Sequence, residues 1–144
     1  MKWLESSGRG PMPVIFGELS AQVLSRCAAL HRAGTLDPVD PEVSTGVAGS
    51  VAGGEFLRIQ LRVRRGRIQE ARFKAFGCSS SIASASLACE WAEGKTLQEA
   101  ESIQEAELSA ALELPPEKRH CSALAKAALH GALSASQGKH LRSG

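Results

Sequence analysis

Between Phe56 and Arg64 the side chains alternate. Leu57, Ile59, Leu61 and Val63 point one way; Arg58, Gln60, Arg62 and Arg64 point the other. A period of two over this length is a strand with one face in the core and one in water. The chain then turns at Arg65-Gly66, and Arg67 to Phe76 returns as the second arm of a hairpin. Upstream, Val43 to Ala52 enters a Gly53-Gly54 turn and reads as an edge strand. In the returning arm Ile68, Phe73 and Phe76 do not keep one parity, so the pattern leaves its register open.

A sheet with one apolar face needs a cover. Aromatic residues are only 4% of a chain that is 43% hydrophobic, so the cover must come from helices rich in Leu, Ile, Val and Ala. Leu19, Val23, Cys27 and Leu30 share one face of a helix expected over Glu18–His31. Gly77 breaks the third strand, and a helix is expected from Ser79 to about Ala92 with Ile82, Ala85, Ser86 and Cys89 on one face. Thr96-Leu97-Gln98-Glu99 matches a capping box. It opens a short helix to Ile103, and another runs from Glu105 to Leu112. Leu114-Pro115-Pro116 makes an extended break. A last helix over Glu117–Ser136 carries Cys121, Leu124, Ala128 and Ala132 on one face. The expected fold is α+β: one helix, a three-stranded antiparallel sheet, then four helices packed on it. At 144 residues one domain is expected, over 18–136, between flexible tails at 1–17 and 137–144.

The net charge of +2 is too small to imply nucleic acid. The positive charge is clustered, however. Arg58, Arg62, Arg64, Arg65, Arg67, Arg72 and Lys74 are accompanied only by Glu70. They form either the solvated exterior of the sheet or a docking face for an acidic partner protein. Met1 to Pro13 lacks the apolar run of a signal peptide, and no stretch has the roughly 20 apolar residues that span a bilayer. The expectation is a cytoplasmic protein with reduced thiols and no membrane partner.

Four cysteines in that setting point to metal or thiol chemistry rather than disulfides. Cys78 stands at the N-terminus of a helix, where free N–H groups and the helix dipole favour a thiolate. The serines after it can donate hydrogen bonds to sulfur. His120-Cys121 lies one turn into a helix, behind Pro115-Pro116. Neighbouring helical residues point about a hundred degrees apart, so both can reach one metal only from a helix end. Two sulfurs and an imidazole suit iron–sulfur chemistry or zinc. Glu55, after Gly53-Gly54, is either an oxygen ligand that completes the set or a solvated turn acid. Cys27 and Cys89 lie on apolar helix faces as packing residues. His31, His130 and His140 read as surface residues.

Three blocks carry a resemblance. They are Phe73-Lys74-Ala75-Phe76-Gly77-Cys78-Ser79-Ser80-Ser81-Ile82-Ala83-Ser84-Ala85-Ser86-Leu87; Glu90-Trp91 with Gly94-Lys95-Thr96-Leu97-Gln98-Glu99-Ala100; and the run from Leu112 through Leu114-Pro115-Pro116-Glu117-Lys118 and His120-Cys121 to Ala125. In that order they resemble the IscU/NifU N-terminal family of iron–sulfur cluster scaffolds, over about Leu19 to Leu133. The resemblance implies a transient [2Fe-2S] cluster or iron, with sulfur from a cysteine desulfurase and delivery to apo acceptor proteins. It implies a non-enzymatic role, ligand positions at Cys78, Cys121 and His120, and a monomer or a dimer bridged by a cluster. Leu114, Pro115, Pro116 and Lys118 match the segment held by a heat-shock chaperone with its J-type co-chaperone, with Glu117 in place of an apolar residue. Two departures stand out. The family's Ala-Cys-Gly-Asp is here Ala52-Gly53-Gly54-Glu55, so a thiol is missing at Gly53. The family's Pro-x-Asn element is absent around Leu30 to Gly34. The alternatives are a relative that binds zinc in the same pocket or competes for assembly partners, and a thiol enzyme with Cys78 as nucleophile and His120 as base.

Overall fold

The structure, a computed structural model, describes Val23, residues 32–50 and residues 52–143. The helix expected over Glu18–His31, with Cys27, lies outside the described residues except for Val23, which is helical and buried.

Three strands form an antiparallel sheet in the order β1-β2-β3: β1 Val43–Ser50, β2 Glu55–Arg64 and β3 Arg67–Phe76. β2 is central, and its unbroken alternation gives it one face toward the core. Leu57, Ile59 and Leu61 are fully buried on the inner face. The pairing of β2 with β3 runs Arg62 to Glu70 and then Val63 to Ile68, so Gln69 is an extra, bulged residue. That bulge is why β3 shows no single parity. Ile68 faces the core on one side of it; Ala71 and Phe73 face the core on the other.

Helices α1 Ser79–Ala92, α2 Leu97–Glu101 and α3 Glu105–Leu112 follow, then a single 3-10 turn Pro116–Lys118 and α4 Arg119–Ser143. The capping box of α2 is formed: Thr96 Oγ1 accepts from the Glu99 N–H at 3.1 Å, and Glu99 Oε1 accepts from the Thr96 N–H at 3.0 Å. The last helix differs from expectation at both ends. Pro115-Pro116 delays it by the 3-10 turn, and it continues past Ser136 to Ser143. Nothing after Ser136 stops it, since Gly138 costs a helix only about 1 kcal/mol and no proline follows.

Helices α1 and α4 cover the inner face. Ala88, Cys89 and Ala92 come from α1, and Ala125, Ala128, Leu129, Ala132 and Leu133 from α4; all are fully buried. Small residues let α4 lie against the backbone of β1. A Cβ placed on Gly46 would fall 2.1 Å from the Ala128 carbonyl oxygen and 2.3 Å from the Ala132 nitrogen. Gly131 faces it, with its own Cβ position 3.3 Å from the Gly46 Cα.

Residues 32–42 run across the outer face. The Gly34 N–H donates to the Phe73 carbonyl at 3.0 Å beside β3, and the chain then crosses to β1. Beneath it Gln60 is buried, accepting from the Leu36 N–H at 2.8 Å and donating to Thr45 Oγ1 at 3.2 Å. The same crossing supplies acids to the arginine cluster. Arg62 pairs with Asp40 and, at 2.8 Å, with Glu70; Arg64 grips Glu42 with two nitrogens at 3.0 and 3.1 Å. Glu93, after α1, takes Arg72 at 3.0 Å and Arg32 at 2.7 Å. Arg62, Arg64 and Arg72, three of the seven basic residues of the stretch, are thus answered by remote acids of the same chain, which reduces its apparent excess of positive charge.

Candidate metal centre

Three elements meet at one end of the sheet. β2 begins with Glu55 directly after the turn at Gly54, whose φ of 91° suits glycine. Cys78 is the N-cap residue of α1, at the end of β3. His120 and Cys121 occupy the first turn of α4. Gly77 lets the first two elements approach, since a Cβ there would fall 3.0 Å from Glu55 Cγ and its φ is 147°. Two helix N-termini therefore open toward the same spot, and both favour negative charge.

Glu55 is the hub. Its Oε2 accepts from the Ser81 hydroxyl at 2.8 Å and lies 3.3 Å from Cys78 Sγ and 3.8 Å from Cys121 Sγ. Its Oε1 is 3.0 Å from His120 Nε2. The two sulfurs are 3.6 Å apart, and His120 Nε2 is 3.6 Å from Cys121 Sγ. The Glu55 carboxylate and the two thiols offer donor atoms within 4.8 Å of one another, with the imidazole at the edge. The solvated-turn reading of Glu55 does not hold: its side chain is 23% exposed and bonded on both oxygens. The helix-end condition for His120 and Cys121 is met, and Cys121 is both a fully buried residue and a member of the cluster.

These groups hold fewer protons than they would apart. The Cys121 thiol, donating to Cys78, is the main reason the Cys78 thiol is brought down to about 5; burial opposes this, and the Ser81 hydroxyl and N–H assist. Cys121 is pushed up in return, by its hydrogen bond to Cys78 and by burial. Burial raises Glu55, but the Ser81 hydroxyl and His120 hold it below the usual carboxylate range. A carboxylate beside a thiolate in a half-buried site is a strong demand for a cation. Carboxylate oxygen, imidazole nitrogen and two thiols are donors that iron and zinc accept.

The Cys78 shift has a direct readout. An ordinary thiol loses about tenfold in alkylation rate for each pH unit below its ordinary value near 8.5. Iodoacetamide labelling of Cys78, followed by peptide mapping, should instead stay level from about pH 8 to about pH 6 and fall only as the pH passes about 5. A hundredfold drop between about pH 8 and about pH 6 would refute it.

Cys27, His31 and the His140 side chain lie outside the described residues; the other expected residues fall outside the cluster. Cys89 is fully buried and its thiol is pushed up by burial, which suits packing. His130 is 60% exposed and pairs with Glu101 at 2.6 Å. Leu114 joins the core, Pro115 and Lys118 are half-buried, and Pro116 and Glu117 are exposed, so the segment presents an acid at the surface beside the expected residues. Among the described residues His120 bonds Glu55 and Cys121 and makes no hydrogen bond to Cys78, the contact a nucleophile–base pair needs. Sequence reasoning did not single out Ser81 as the residue that fixes Glu55. The available signal was its i+3 spacing from Cys78, one turn along the same helix face.

A cleft of about 640 Å³ adjoins the cluster, lined by Gly49, Ser50, Gly53, Glu55, His120 and Leu124 among others. Among the described residues no helix is long and apolar enough to cross a membrane.

Residues 19–143 match the family described as the NifU-like N terminal domain. The iron-sulfur cluster assembly scaffold protein IscU of Azotobacter vinelandii is 44% identical over 115 residues, 79% of this chain and 90% of that protein. Its counterpart in Escherichia coli K12 is 40% identical over 116 residues, 80% of this chain and 91% of that protein. A relative from Drosophila melanogaster, 45% identical over 102 residues, 70% of this chain and 66% of that one, is named an iron-sulfur cluster assembly enzyme. The fold is shared with a putative iron-sulfur cluster assembly scaffold protein for the SUF system from Fervidobacterium islandicum AW-1, at a TM-score of 0.66 and 18% identity, covering 82% of this chain and 98% of that one. It is shared too with the N-terminal part of a NifU-like protein from Brucella abortus, at a TM-score of 0.64 and 18% identity, covering 87% of this chain and 98% of that one. The match over nearly the whole described fold, with these identities, makes the chain a member of the NifU-like N-terminal domain family.

Proposed function

We propose that this chain is an iron–sulfur cluster assembly scaffold or carrier that holds iron or a [2Fe-2S] cluster as transient cargo. Cys78, Cys121 and His120 are its ligands, and Glu55 supplies the oxygen. The observation that carries the reading is the convergence of these donors, from three separate elements, on one half-buried spot at two helix N-termini. A binuclear cluster normally takes four protein ligands, and these four side chains would supply that number. Two of them are not sulfur, so the cargo is held more weakly than by an all-thiolate set, which suits a protein that must give it away. In this role the chain turns over no substrate of its own. Sulfur comes from a cysteine desulfurase, and apo iron–sulfur proteins receive the cluster. Pro115, Pro116 and Lys118 are the surface at which a heat-shock chaperone and its J-type co-chaperone would act. The setting is the cytoplasm, where thiols stay reduced.

Anaerobic reconstitution with ferrous iron and sulfide tests the reading. Sulfide-to-iron charge-transfer bands that survive desalting, with iron and sulfide in equal amounts, are the expected result. A colourless product that retains one zinc per chain would replace it with a zinc-binding relative, because two thiolates, an imidazole and a carboxylate are also a complete tetrahedral zinc set.

A further inference from the structure

We propose that the cleft beside Gly53 admits a low-molecular-weight thiol whose thiolate becomes a third soft ligand of the metal held at Glu55, Cys78, His120 and Cys121. The inference rests on the metal-holding reading of that site and names a ligand the reading lacks. Glu55 and His120, the oxygen and nitrogen donors, line the cleft, so an entering molecule meets the metal on its hard-ligand edge. There a thiolate can displace a carboxylate oxygen or an imidazole and improve the match to a soft metal. The cleft is shallow and wide open to solvent, and at about 640 Å³ it has room for an amino acid.

Its walls suit such a guest. Leu124 gives an apolar surface for a methylene. The Ser50 Oγ accepts from the Gly53 N–H at 3.0 Å, which leaves the hydroxyl proton free to donate. Among the described residues a Cβ at Gly53 would meet Ser50, at 3.0 Å from its hydroxyl oxygen and 3.6 Å from its carbonyl, so the Ser50 side chain would have to give by a few tenths of an ångström. Gly53 is not among the residues with positive φ, so a side chain at this position is compatible with the backbone.

The test uses the reduced full-length chain, kept with a phosphine reductant, and cobalt(II) as the metal, since thiolate-to-cobalt absorption counts sulfur ligands. L-cysteine is titrated in, with S-methylcysteine as the control that cannot form a thiolate. The expected result is a saturable rise of about half in the charge-transfer intensity, the ratio of three thiolates to two. S-methylcysteine should give no rise, and the chain should stay monomeric by size-exclusion chromatography. Gly53→Cys should show the higher intensity from the start and ignore added cysteine; the titration of the unmodified chain stands even if that variant fails to fold. Cobalt bound with no response to cysteine, or cobalt leaving the protein as cysteine is added, overturns the inference alone. Three-thiolate intensity before any addition, in a chain that elutes as a dimer, also overturns it, because a second copy is then the sulfur source. No cobalt binding at any concentration overturns the metal-holding reading, and this inference with it.

Discussion

Gly46→Ala should lower the thermal midpoint by at least about 10 °C, and the loss in far-UV circular dichroism on heating will show it. The added methyl would fall 2.1, 2.3 and 2.8 Å from three backbone atoms of α4, on Ala128, Ala132 and Gly131. No side-chain rotation relieves a backbone collision, so α4 must lift from β1 or the strand must shift. Either movement opens the packing of Ala128, Leu129 and Ala132, which are fully buried. Overpacking without room to relax costs about 3 kcal/mol or more, a large share of the roughly 5–15 kcal/mol that holds such a domain together. Gly131→Ala is the control. Its Cβ would sit 3.3 Å from the Gly46 Cα, and the helix gains about 1 kcal/mol of propensity, so its midpoint should move little. Equal midpoints for Gly46→Ala and the unmodified chain would mean that α4 and β1 do not approach this closely.

Cys78→Ser should weaken cobalt or iron binding by about a hundredfold, with Cys121→Ser doing the same and Cys89→Ser leaving the affinity in place. Each of the first two removes one of the sulfurs 3.6 Å apart and leaves a hydroxyl that stays protonated at neutral pH. Cys89 is equally buried but belongs to the face of α1 that packs on the sheet, so its replacement reports on stability alone. Isothermal titration of each variant, with circular dichroism to confirm folding, separates the two effects. An affinity unchanged in Cys78→Ser would remove that thiol from the ligand set.

What could be read from the sequence was local, and what could not was remote. β2 and its hairpin follow from alternation over ten residues. The register of β3 did not, because one extra residue at Gln69 inverts parity partway along, and a pattern cannot locate a bulge whose flanks are both plausible. Cys78 was visible because a glycine and a run of serines mark a strand-to-helix junction. Glu55 could be offered from sequence only as one of two alternatives, an oxygen ligand or a solvated turn acid, since the bonds that decide between them reach Ser81 and His120, 26 and 65 residues away. The arginine cluster likewise looked unbalanced because Asp40, Glu42 and Glu93 lie outside its stretch and meet it only in the folded chain.

The placing of Glu55, Cys78 and Cys121 on three elements has a mechanical meaning. They are separated by 23 and 43 residues along the chain, so a metal that binds all three closes two loops at once. Held by the proposed ligands, cargo would act as a removable cross-link between β2, α1 and α4. At a hundredfold excess over its dissociation constant a bound metal adds about 2.7 kcal/mol to the folded state, and emptying the site returns that amount. A load that tightens its carrier in this way would also be released by whatever parts the first turn of α4 from β2, without any contact to the metal itself.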